Sequence, residues 1–253
     1  MQYVLFSSLG KQIYVMLNHR VAYLCWMDAL RKGLIGRGAF LCHIDWHCDF
    51  SYTMYLMEED SRIQDNEDKK LLTFVKDKLN ESNADFIAYA MNRGLIGNAL
   101  SISKDGCEGY SGVVEDGLKK RIKFVDKEHS IHNFYIDGPS IPQLGKYVKL
   151  LNHNNRYFVL DIDLDYFTSD NSEEYAQAID EKEMKSILNS DFLRNCLSRS
   201  QVITIALEPF YCGGEEECKK ILKTLSLNLR EPLGIDIEQS TLEAFGEDID
   251  YRE

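Results

Sequence analysis

Two short runs of this sequence hold more oxygen and nitrogen ligands than their neighbours can neutralise. The first is His43-Ile44-Asp45-Trp46-His47-Cys48-Asp49, and the second is Val159-Leu160-Asp161-Ile162-Asp163-Leu164-Asp165. Each follows an apolar stretch that reads as a β-strand, along which residues two apart point the same way. Asp45, His47 and Asp49 therefore converge on one point, with His43 behind them. Asp161, Asp163 and Asp165 put three carboxylates within five residues at the end of the other strand. Partly buried carboxylates repel one another and drift towards protonation unless cations neutralise them. Carboxylates with a few imidazoles suit Mn²⁺ better than Fe²⁺, Co²⁺ or Zn²⁺. A structural zinc site would draw on paired cysteines instead, and no Cys-x-x-Cys occurs. Four or more carboxylates exceed the needs of one divalent ion. Two ions roughly 3.5–4 Å apart use them all and make a nucleophile from water near neutral pH.

Positioning these runs calls for strands that end together. Short apolar runs alternate with amphipathic stretches throughout. Strands are expected over Gln12–Leu17, Ala39–Asp45, Asn98–Ser103, Tyr157–Ile162 and Gln201–Leu207, with weaker ones over Arg121–Val125 and Asn133–Ile136. Helices are expected over Val21–Lys32, Lys70–Leu79, Gln143–Leu151, Glu181–Ser198 and Glu215–Leu225. Such alternation implies βαβ units. The expected fold is α/β, a three-layer αβα domain with a mostly parallel central sheet. With 253 residues, four prolines and no Gly/Ser-rich linker, one domain over 1–253 is expected, ending in an acidic segment over 233–253. That segment carries seven carboxylates against one arginine and reads as a solvated or capping tail.

Composition narrows the classes. Hydrophobic residues at 44% and charged residues at 28% exclude a disordered or collagen-like chain. No apolar run approaches ~18 residues, and Met1-Gln2-Tyr3-Val4-Leu5-Phe6 lacks the basic start of a signal peptide. Seven cysteines, an odd number, read as reduced thiols in a cytoplasm. A net charge of −12 argues against nucleic-acid or anionic-membrane partners and is compatible with a cationic substrate.

Asp45-Trp46-His47-Cys48-Asp49 resembles the DxHxD signature of the ureohydrolases (arginase, agmatinase and their relatives), and Asp161-Ile162-Asp163 resembles their DxD. The resemblance spans residues 19 to 208 and implies an arginase-like fold with two Mn²⁺ per chain. It also implies a histidine ligand on an earlier strand end, and His19, 26 residues before Asp45, stands there. The implied assignment gives His19 and Asp49 to the first ion and His47 and Asp163 to the second, with Asp45 and Asp161 bridging. Glu208, after Val202–Leu207, is implied to bind the substrate guanidinium. Asp163 is the expected catalytic proton carrier, and His129, His132 and His153 are not distinguished as shuttles. Related folds are often trimers or hexamers, so a homo-oligomer is one expected assembly.

The sequence also departs from the arginase pattern. Asp49 is followed by the apolar Phe50-Ser51-Tyr52-Thr53-Met54-Tyr55-Leu56-Met57, and the DxD by Asp165-Tyr166-Phe167 in place of the usual Asp-Pro. These features resemble the peptide arginases, which convert arginine to ornithine within ribosomally made precursor peptides. An apolar lip over 50–57 suits a peptide better than a free zwitterion. The alternatives are hydrolysis of free arginine or agmatine, and a non-catalytic, metal-stabilised protein that binds guanidinium or peptide. A deacetylase on the same fold would carry tandem histidines, and an aspartate-nucleophile phosphatase would leave His19, His47 and Asp49 without a role.

Overall fold

The computed structural model describes residues 3–47, 49, 54–79, 85–104, 112–115, 118–124, 130–136, 156–169 and 176–245. The strands are β1 (Tyr3–Ser8), β2 (Lys11–Met16), β3 (Ala39–Asp45), β4 (Ile96–Ser103), β5 (Gly112–Glu115), β6 (Leu118–Phe124), β7 (Ser130–Ile136), β8 (Phe158–Asp163) and β9 (Val202–Ala206). They form one sheet in the order β1-β2-β9-β8-β3-β4-β7-β6-β5. From β2 to β7 the neighbours are parallel, while β1 at one margin and β6 and β5 at the other run antiparallel. The central strands β3, β8 and β9 are buried along their whole length, as a parallel sheet covered on both faces requires.

Alternation along these strands feeds two cores. Phe40, Cys42, Ile44, Leu160, Ile162, Ile203 and Ile205 face α5 (Glu181–Leu188), α6 (Asp191–Arg199), α7 (Glu215–Leu233) and α8 (Ile237–Phe245). Leu41, Val159, Val202 and Ala206 face α1 (Ala22–Arg31), α3 (Asp68–Asp77) and α4 (Phe86–Asn92), with Leu56 of α2 (Met54–Ser61) packed at the border. The architecture is therefore the expected three-layer αβα arrangement around a mostly parallel sheet. No helix among the described residues is long and apolar enough to cross a membrane.

Several boundaries differ from expectation for local reasons. The helix expected over Glu181–Ser198 is two helices. Ser190 adopts extended backbone and its hydroxyl accepts from the Leu193 N–H, so it caps a new helix. The helix expected to end at Leu225 runs on to Leu233 and stops where Gly234 turns left-handed at φ 66°. The start of the acidic segment is structured: α8 packs on α7 and β1, and Ile237 and Thr241 are buried. Its remainder, 246–253, and the helix expected over Gln143–Leu151 lie outside the described residues.

The described cysteines, Cys25, Cys42, Cys196, Cys212 and Cys218, are buried free thiols. Cys42 and Cys196 are 3.7 Å apart at sulfur, and burial comes first among the causes that push the Cys42 thiol up.

Candidate metal centre

The parallel register stacks the chemistry-bearing side chains in two rows on the α1/α4 face. His43 of β3 lies level with Asp161 of β8, which lies level with Thr204 of β9. One step of alternation further, Asp163 lies level with Ala206, and continuation of the β3–β8 register brings Asp45 level with Asp163. The strands end there. His19 enters from a 3-10 turn three residues past β2, His47 and Asp49 leave β3, and Asp165 lies in the 3-10 turn that follows β8.

Around the upper row the groups form two nests. In the first, His19 Nδ1 faces Asp163 Oδ2 at 2.9 Å, Asp45 Oδ2 at 3.2 Å and Asp49 Oδ2 at 3.4 Å. This buried nitrogen is aligned for a hydrogen bond with none of them. Ligand atoms at adjacent corners of an octahedron with ~2.1 Å bonds are about 3.0 Å apart. The spacing is that of ligands gathered round a common point. In the second nest, His47 Nδ1 lies 3.1 Å from Asp165 Oδ2 and 3.6 Å from Asp45 Oδ1. Asp45 thus offers one oxygen to each nest, and both its groupings, with His19 and Asp163 and with His47 and Asp165, are compact enough to hold an ion.

In the lower row protein donors reach both oxygens of Asp161, although His19, His43 and Asp161 are also grouped closely enough to hold an ion. Asp161 Oδ2 accepts from His19 Nε2 and from His43 Nδ1, each at 2.8 Å, and Oδ1 accepts from the Thr204 hydroxyl. Trp26 Nε1 donates to that hydroxyl oxygen at 3.3 Å. His43 Nε2 is 3.3 Å from Asp45 Oδ2, and a grouping of His43, Asp45 and Asp49 is equally compact.

Backbone donors hold the carboxylates in place. The His47 N–H donates to Asp45 Oδ1 at 2.6 Å, the Asp165 N–H to Asp163 Oδ1 at 3.0 Å, and the Trp46 N–H to Asp165 Oδ1 at 3.1 Å. Asp49 and Glu208 occupy left-handed backbone, at φ 49° and 39°. Only a few per cent of non-glycine residues adopt that conformation, and strained backbone clusters at functional sites. Glu208 follows β9, and its Oε1 accepts the His19 N–H.

Asp45, Asp49, Asp161, Asp163, Asp165 and Glu208 are all buried, and among the described residues the imidazoles of His19, His43 and His47 stand between them. The balance shows in their protonation. Burial, reinforced by neighbouring carboxylates, pushes Asp49, Asp163 and Asp165 up. Burial also raises Glu208 to about 7. For Asp45 and Asp161 burial acts the same way but is outweighed: the facing imidazoles of His19 and His47 hold Asp45 well below the carboxylate range, and the His19 charge brings Asp161 to about 2. Burial opposes charge on the imidazoles too, yet Asp161 and Asp163 hold His19 well above its ordinary value, and Asp165 and Asp45 push His47 up to about 12. Six acids against three imidazoles leave a cluster short of positive charge, which divalent cations would supply. The donor set fits them.

Of the residues expected from sequence, His19, Asp45, Asp49 and Asp163 meet in the first nest. His47 meets Asp45 and also Asp165, and Asp161 lies across the His19 ring from the nest. His43, Asp165 and Thr204 received no role from the motifs. The i−2 alternation from Asp45 was the signal for His43, and the third carboxylate of Asp161-Ile162-Asp163-Leu164-Asp165 the signal for Asp165. Tyr211 also escaped notice; its ring stands 5.8 Å from that of His47, beside an exposed Phe210. His129, His153 and residues 50–53 of the expected lip lie outside the described residues, while Met54–Met57 open α2. His132 sits in β7, two strands from β3.

No family model and no curated protein matches this sequence. Among solved structures the chain is similar to proclavaminate amidino hydrolase from Streptomyces clavuligerus, at 12% identity and a TM-score of 0.48, over 87% of this chain and 62% of that one. It is also similar to a hypothetical agmatinase from Burkholderia thailandensis, at 13% identity and a TM-score of 0.46, over 92% of this chain and 60% of that one. The chain therefore spans about three fifths of the length of either protein.

Proposed function

We propose that the chain is a dinuclear manganese hydrolase of the ureohydrolase type. In this reading it cleaves the guanidino group of arginine residues within a ribosomally made precursor peptide, giving ornithine and urea. The observation that carries the reading is the pair of nests joined by Asp45, with buried carboxylates in excess of imidazoles. The DxHxD and DxD resemblance supports the reaction class. His19, Asp45, His47 and Asp49, with carboxylates from the end of β8, would hold two Mn²⁺. When bound, such ions supply Lewis acidity and lower the pKa of water at the site.

The chain's own residues supply the rest. Glu208, fixed by the His19 N–H, pairs with the planar guanidinium and sets its carbon against the nests. Burial of the cluster excludes bulk water and strengthens every charge interaction within it. Asp163, at the strand end facing His19, takes a proton from the attacking water and hands it to the departing amine. Water adds to the guanidino carbon, the bond to the side-chain nitrogen breaks, and urea and a protonated amine leave. Exposed Phe210 and half-buried Tyr211 beside His47 offer aromatic surface to a chain flanking the arginine. This supports a peptide over a free amino acid, as does the absence of a polar clamp in the sequence after Asp49.

The test incubates Mn²⁺-loaded protein with an arginine-containing peptide, free arginine and agmatine. Urea release with a ~42-Da mass loss is expected on the peptide above all. Urea from free arginine or agmatine alone would overturn the peptide substrate, and none from any would overturn the hydrolase.

A further inference from the structure

The two rows at the strand ends do different work. A carboxylate that ligates a cation must aim an oxygen at it, and both oxygens of Asp161 already take side-chain donors. Oδ2 takes two imidazole donors and Oδ1 takes the Thr204 hydroxyl, itself anchored by the Trp26 indole. Asp161 also lies on the wrong side of His19, since it holds Nε2 while the carboxylates gather at Nδ1. Asp163 and Asp165, by contrast, send oxygens to His19 Nδ1 and His47 Nδ1. Metal-bound histidines commonly donate their second ring N–H to a carboxylate, which fixes the tautomer and the ring angle.

We infer that Asp161, held by His43 and Thr204, is a positioning residue that orients His19 through Nε2, and that the cation-binding carboxylates of this strand are Asp163 and Asp165. The inference rests on the metal-centre reading above. It moves the functional DxD two residues along the chain: Asp163 becomes level with Asp45 and joins the first nest, while Asp165 completes the second with His47. Asp161 acts on one ion only, the one His19 serves.

Stepwise Mn²⁺ titration with metal analysis and electron paramagnetic resonance of the coupled pair tests this in the full chain. Asp161→Asn should still bind two Mn²⁺ and keep the coupled-pair spectrum, with the affinity of one site alone reduced roughly 10–100-fold. Asp165→Asn should bind a single Mn²⁺ and lose the coupling. The inference is overturned if Asp161→Asn falls to one ion, if both its sites weaken equally, or if Asp165→Asn retains the pair. Should Asp161→Asn fail to fold, the Asp165→Asn stoichiometry decides, one ion supporting the inference and two overturning it. Wild-type protein that binds no pair overturns the metal-centre reading itself, an outcome distinct from those in the variants.

Discussion

Glu208 should cost the protein stability in exchange for substrate binding, and Glu208→Gln separates the two. Burial raises its carboxyl from an ordinary 4.5 to about 7. Below pH 4.5 the group is protonated whether the chain is folded or not, and the burial of its charge has no effect on stability. Between 4.5 and about 7 the unfolded chain ionises first, so stability falls as pH rises. Above 7 the full cost is present: at ~1.4 kcal/mol per pH unit, a shift of this size is worth about 3 kcal/mol. Glutamine keeps an acceptor for the His19 N–H without the charge. In metal-free protein at pH 8, Glu208→Gln should therefore be stabilised by up to about 3 kcal/mol, a rise of roughly 6–12 °C in melting temperature for a chain of this size. At pH 4.5 the gain should vanish. The same substitution removes one partner of a buried charge pair with guanidinium, which costs ~3–5 kcal/mol, so kcat/KM should drop roughly 10²–10⁴-fold with Mn²⁺ content unchanged. Scanning calorimetry on chelator-treated protein at the two pH values reads the first effect, and urea release the second. A melting temperature at pH 8 that is unchanged or lowered, or a gain of equal size at both pH values, would refute the reasoning.

Other expectations follow from single contacts. Asp45→Ala removes the carboxylate common to both nests and should abolish urea release together with paired Mn²⁺ binding, as metal analysis would show. Manganese should raise the melting temperature by roughly 5–10 °C for each site filled at a concentration 100 times its Kd. Because Asp49, Asp163 and Asp165 hold protons above the carboxylate range, Mn²⁺ must displace them and its affinity should fall as pH falls, a trend visible by calorimetric titration. Gly213 has φ 82°, and a Cβ there would sit 1.9 Å from the Ala176 carbonyl oxygen, so Gly213→Ala should cost at least ~2 kcal/mol in denaturation and disturb the Glu208 loop. Tyr23→Phe deletes the hydroxyl that donates to buried Asp60 at 2.7 Å and should lower stability by about 1–2 kcal/mol while leaving urea release intact.

The sequence carried the layers and the face of the sheet on which the site lies, but not the height of each ligand along its strand. β3 was readable to the residue, because an apolar run ends sharply at Asp45-Trp46-His47. Alternation told which side of the strand Asp161, Asp163 and Asp165 share. It could not tell which of them stands level with Asp45, because a shift of two residues preserves the side and changes only the pairing. That level is set by the register between β3 and β8, a tertiary quantity. α4 escaped for the opposite reason: Phe86, Ile87, Ala88, Tyr89, Ala90 and Met91 are all buried, so no polar face marks a helical period. β1 is a margin strand of mixed exposure with little patterning of its own. Glu208 was placed by resemblance alone; its left-handed backbone and its bond to His19 depend on the meeting of β2 and β9.

The account stands on two cations held side by side at the strand ends. Anomalous scattering from crystals of the Mn²⁺-loaded protein reads this directly. Two peaks roughly 3.5–4 Å apart are expected, one beside His19 and Asp49, the other beside His47 and Asp165, with Asp45 between them. A single peak, or a map with none among these side chains, would show that the buried carboxylates serve some other purpose.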